Sequence, residues 1–523
     1  MSANDGGRLP WGHALLAAIA AVSWAFLAMA GIAALGLHLL GADGAGALGP
    51  MTAAAMVLAL GGTVTPSGDI ETFGLKGAEA YSAIDIAPLG VSLVGAVLLG
   101  WLFLRSLRRA GPTVRGAELA VRAGLVVVFF LLLLTGLTWV GNDTITIDGA
   151  ELGLDELGRR AERELLDRLP EELGDLGQIG AGLLPDRLAG LIDAKASVGF
   201  TVEAGRSLLG GAVWILAVLL LALLASRRTP LPPGAEALHR AVRPAVSALC
   251  GVLVLAVVAG LAAALYAVAG DDHPRLVFGT ALLAAPNGVW LGTALGLFVP
   301  WHGSATGALV RVLPDPVDEL LTGRGDEPIT VGRLAELDGR VWLLVVASVL
   351  MMLAAGVLTA VRTPTEGAAR SRPPLGAAAG RCALRLGLVT APVLALLVWL
   401  TRVSAGASLS VFGFDAFGAA LELHGSVPPA LLLGAAWGAA AGAAGAMIAR
   451  ATGAEGRWAT PLARDVAGGE PRGAAGGDAA GGAAHGGHGG HGTGGAGGGR
   501  YGGTDDERGS GTDDDGRGTG GGD

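Results

Sequence analysis

Lysine is almost missing from this chain: only Lys76 and Lys195 stand among 36 basic residues, so nearly all positive charge is arginine. With its abundant Ala and Gly, that bias marks a GC-rich coding sequence. Cysteine is equally scarce. Cys250 and Cys382 lie on different segments, which excludes a disulfide framework and a cysteine metal site. The net charge of −9 leaves no basic face of the kind nucleic-acid binding needs. Ionisable side chains are also absent from the centres of the clear apolar runs, where proton-coupled carriers place them; Arg122 sits near one end of its run. No nucleophile is paired with a base, and no ligand cluster has metal spacing. The sequence therefore names no catalytic, cofactor-binding or metal residue and no cofactor, and an enzyme is not expected.

What is present is long and apolar. Runs of about 20 residues, enough to cross a hydrocarbon core of roughly 30 Å as helices, recur at 14–37, 87–104, 119–140, 207–225, 245–268, 341–361, 384–403 and 427–449. The first imitates a secretory signal, with Ala28-Met29-Ala30 as a small-x-small site. Its apolar character continues to Leu40, and we read it as an uncleaved span. Two further stretches, 45–62 and 276–299, are ambiguous. Gly49-Pro50 marks the first and Pro286-Asn287-Gly288 the second, so Pro50, Pro286 and Asn287 are the candidate structural breaks. Asn287 either coordinates a substrate or caps a half-helix.

Arginines cluster in three connections: Arg105 to Arg115, Arg227 to Arg243, and Arg362 to Arg385. The positive-inside rule places all three, and both termini, in the cytoplasm if the eight clear runs cross and the ambiguous two do not. Stretches 45–62 and 276–299 then enter and leave on the outer side, re-entrant or interfacial. Each half, 9–225 and 240–450, reads as span, dip, outer loop, span, basic loop, span, outer loop, span. This is the pattern of a parallel repeat.

The largest outer connection, 141–206, starts with the alternating Thr144-Ile145-Thr146-Ile147. From Leu157 to Leu176 its apolar residues recur every three or four positions, as in an amphipathic helix. Short alternating stretches also stand at 328–331 and 408–411. After Arg450 the composition turns to Gly, Asp, Arg and Thr, which cannot offset ordering entropy. His485, His488 and His491 in that tail have no second shell and read as low-complexity drift.

The expected fold is an all-α polytopic membrane protein. Its parts are a cytoplasmic N-terminus (1–13), helices one to three with the first dip (14–140), a small, mostly helical extracytoplasmic region (141–206), helices four to eight with the second dip (207–450), and a disordered tail (451–523). The stretch LPWGHALLAAIAAVSWAFLAMAGIAALGLHLLGAD at 9–43, followed by LGPMTAA, VTPSGD and IDIAPLGVSLVGA, resembles the streptophobe family. The resemblance covers about 9–450 and implies an actinomycete plasma-membrane protein, without supplying an activity. The expected role is a non-enzymatic membrane or envelope-associated component in contact with the lipid bilayer, with 141–206 as the surface for an envelope partner. The alternative is a transporter or channel whose small-molecule substrate the sequence does not name.

Overall fold

A computed structural model describes residues 11–44, 46–68, 78–110, 115–141, 143–147, 196–226, 241–306, 327–364, 374–411 and 414–459. All of them fall within one compact unit. The eight clear apolar runs each form one helix: α1 (Trp11–Leu39), α3 (Leu89–Ala110), α4 (Gly116–Val140), α5 (Ala204–Ala225), α6 (Arg243–Val268), α9 (Trp342–Arg362), α10 (Leu375–Leu400) and α11 (Val427–Ala451). The ambiguous stretches are helical too, α2 (Leu48–Ala59) and α7 (Pro274–Gly296), and a short α8 (Val331–Leu337) precedes α9. With nine helices long and apolar enough to cross a bilayer among the described residues, the chain is a polytopic membrane protein.

The connections at one end of the bundle carry strands: β1 (Val64–Gly68), β2 (Ala78–Asp85), β3 (Asp143–Ile147), β4 (Ala196–Val202), β5 (Trp301–Thr306), β6 (Val403–Val411) and β7 (Phe414–Gly425). They form a single antiparallel sheet in the order β3-β4-β1-β2-β6-β7-β5. The alternation read at Thr144–Ile147 is a strand, β3, and the other flank of 141–206 pairs with it as β4. The amphipathic stretch from Leu157 to Leu176 lies outside the described residues.

Among the described side chains the sheet has two distinct faces. Val64 and Val202 are buried in the core of the first half, and Trp301 and Ala305 in that of the second, where Leu421 and Leu423 also pack. Asp85, Ser404, Glu422 and Ser304 stand directly across β2, β6, β7 and β5 on the opposite face. One face packed and one polar is what an antiparallel sheet can sustain.

The order of the strands repeats. In the first half it is β3-β4-β1-β2; in the second it is β6-β7-β5, extended by a bridge from Trp301 to Ile329. The registers agree as well. Thr65 opposite Thr201 corresponds to His302 opposite His424, and Asp143 opposite Phe200 to Val403 opposite Leu423. Glu203 N–H donates to Thr63 O at 3.1 Å, as Ser426 N–H does to Pro300 O at 3.0 Å. The two halves therefore share one topology, joined head to tail through β2 and β6. Each half also has its own apolar core.

Tight helix contacts rest on glycine. On α11, Gly438 and Gly442 lie against the α10 backbone at Leu386 and Cys382, and Gly445 lies against Gly356 of α9. Without a hydrophobic drive between helices in lipid, such close approach is the main source of packing energy. The structured chain also outlasts the expected boundary at 450. Gly456 and Trp458 N–H donate to Ala360 O and Val361 O, and Ala459 is buried. The rest of the tail lies outside the described residues.

Candidate functional site

The two dip helices are the unusual elements, because the chain enters each at the sheet end of the bundle and returns to the sheet directly after it. By length alone α7 would be another crossing. Its neighbours exclude that. Arg243, at the start of α6, donates to Leu223 O at the far end of α5 (2.9 Å), and Arg362, at the far end of α9, reaches Ser247 Oγ (3.2 Å). The 26 residues of α6, roughly 39 Å at 1.5 Å per residue, then return the chain to the sheet end. There α7 starts, and it hands over to β5 in the same sheet.

The end of α7 lies below the sheet. Gly296, its last residue, packs against Leu344 and Ser348, about 3 and 9 Å along α9 from its start. Trp437 Nε1 of α11 donates to Leu297 O at 3.2 Å. In the first half, Gly61 of the α2 turn lies against Gly210, a similar depth along α5. Both helices end in the same hydrogen-bonded turn. Gly62 N–H donates to Val57 O (2.9 Å) and Gly61 N–H to Leu58 O (3.1 Å); Val299 N–H donates to Ala294 O (3.0 Å) and Phe298 N–H to Leu295 O (2.8 Å). This is the Schellman pattern, which satisfies carbonyls that a helix end would otherwise leave open. Leu60, Leu297 and Val299 are at most 1% exposed, as non-helical backbone at depth requires.

The candidate breaks fare differently from expectation. Pro50 lies in the first turn of α2, where a missing N–H costs nothing, so it starts a helix instead of interrupting one. Pro286 is buried inside an α7 that stays helical throughout. Proline deprives the carbonyl four residues earlier of its donor. That carbonyl, Leu282 O, faces Gly90 at the start of α3, where a Cβ would collide with it. Asn287 does cap a helix, but that helix is α3: its Oδ1 accepts from Leu89 N–H (3.1 Å) and its Nδ2 donates to Ala87 O (2.8 Å). Together with Gly36 against Leu283, this clamp ties the second dip to the first half of the molecule.

Among the described residues, the buried charged side chains lie at the far end. Arg122 is 7% exposed and paired with Glu118 at 3.0 Å, a partner the hydropathy pattern hid, and Arg243 is 1% exposed. Among the described residues no three metal-ligating side chains gather. The comparisons add no relative: no family model, no curated protein and no solved structure matches this chain.

Proposed function

We propose that the chain is a non-enzymatic actinomycete plasma-membrane component of the streptophobe kind, in which the helices hold a β-platform on the outer side for an envelope partner. One observation carries this reading. Loops from both halves contribute strands to one sheet, whose polar face points away from the bundle. Building a shared surface from widely separated loops costs chain entropy that simple connectors avoid. The orientation rests on Arg105, Arg108, Arg109 and Arg115 between α3 and α4, at the end opposite the sheet, with both termini cytoplasmic.

Transport is the second reading, favoured by two re-entrant helices in equivalent places. Their apolar, buried tips support the platform over it. The test replaces Cys250 and Cys382 and puts single cysteines at Ser304 and Arg108. An impermeant thiol reagent on intact cells should label the Ser304 site alone. A photocrosslinker at Glu422 should yield a discrete adduct with an envelope protein. Labelling at Arg108 overturns the orientation. Solute flux in reconstituted vesicles, with no adduct at Glu422, favours transport.

A further inference from the structure

The repeated register supplies its own control for one pair of side chains. At the foot of the sheet in the first half, Thr65 faces Thr201, with their hydroxyls 3.2 Å apart. At the equivalent place in the second half stand His302 and His424, ring centroids 5.7 Å apart and planes 21° from parallel. The framework holds a threonine pair at this register, so it does not demand imidazoles. Their presence calls for a chemical reason.

We infer that His302 and His424 form a two-histidine site for a divalent first-row transition metal, of the Cu²⁺, Ni²⁺ or Zn²⁺ class that imidazole suits. Directly opposite residues on adjacent strands have Cβ atoms about 4.5–5.5 Å apart. Two imidazole nitrogens on one metal, each bound at about 2.0–2.1 Å, sit roughly 3.3 Å from each other. To share one ion, the stacked rings must turn about their side-chain torsions until both in-plane nitrogen lone pairs converge on it, a rotation that the exposed His424 side chain is free to make. Ser426 Oγ lies 3.4 Å from His302 Nδ1. A hydrogen bond there orients the ring and leaves Nε2 as the ligand, the usual second-shell arrangement. His424 is exposed and His302 half-buried, so the metal enters from solvent. Glu422 stands on the same face, opposite Ser304, and adds negative charge nearby. Water completes the coordination, since among the described residues no third protein ligand is gathered there.

The metal site does not depend on the proposed orientation, because its test uses purified protein. The full chain is prepared without a polyhistidine tag, with His485, His488 and His491 replaced by Asn so that the tail cannot contribute. Cu²⁺ titration followed by electron paramagnetic resonance should show one ion per chain with coupling to two imidazole nitrogens, displaced only by a large excess of Zn²⁺. His302→Thr/His424→Thr, which copies the first half, should weaken binding at least 100-fold and leave metal-free melting unchanged. Each single variant should weaken it at least tenfold. Equal Cu²⁺ affinity in the parent and the double variant, or a spectrum without the two-nitrogen pattern, overturns the site. A double variant that melts lower without metal, while the parent binds no copper, assigns the pair to sheet packing instead.

Discussion

Phe298 holds a backbone conformation that L-residues avoid, with φ at 66°, where its counterpart in the first half is Gly61 at 80°. A non-glycine residue in the left-handed region costs about 1–2 kcal/mol. The ring offsets that cost by stacking on Trp437, centroids 6.4 Å apart. Phe298→Ala loses the stacking and keeps the strain; Phe298→Gly loses both. The glycine variant should therefore be the more stable of the two by about 1 kcal/mol, read as melting temperature in detergent. Equal melting would mean that the turn carries no strain. Nothing in the sequence marks Phe298, because its backbone angle is imposed by the Schellman turn and not by its own preference. Asn287 was legible as a cap from its residue type; that it caps α3 was not, because Ala87 lies 200 residues away.

Among the elements, the helices were legible and the sheet mostly was not. Hydropathy over about 20 residues finds each span, because lipid forces the backbone to satisfy its hydrogen bonds within the segment. The strands are short and rich in Ala, Gly and Ser, as in VSAGASLSV of β6, so their alternation is faint. Their partners also lie far away in sequence. Pro286 misled for a related reason: proline signals a break locally, whereas the neighbour that accommodates the freed carbonyl belongs to another helix. Helix contacts yield a prediction of their own. Gly356→Leu would drive a side chain into Ala441 O of α11, while Gly376 at the start of α10 has open space around it. Gly356→Leu should cost upwards of about 3 kcal/mol or abolish accumulation, and Gly376→Ala should stay within about 0.5 kcal/mol, with thermal melts as the measure.

For the whole molecule, composition put the end of the ordered chain at Arg450, but Gly456 and Trp458 still bond to the last turn of α9. A chain cut after Ala459 should accumulate and melt like the full protein. One cut after Arg450 should melt lower, by the loss of two backbone hydrogen bonds and the packing around Ala459, about 1–3 kcal/mol. Identical melting of the two truncations would count against that clasp. The repeat was legible as an order of spans and charges, and became an equivalence only when the strand registers could be compared. Its head-to-tail join carries a consequence in time. The ion pair of Asp85 with Arg402, 2.9 Å long at the β2·β6 seam, closes across 317 residues. At about 5–20 residues per second of synthesis, β2 waits roughly 15–60 s for its neighbour. For that interval the first half has emerged with one strand unzipped, an adhesive border open to other nascent chains. The ribosome's pace, and whatever shields that border meanwhile, thus become part of how this protein reaches its final form.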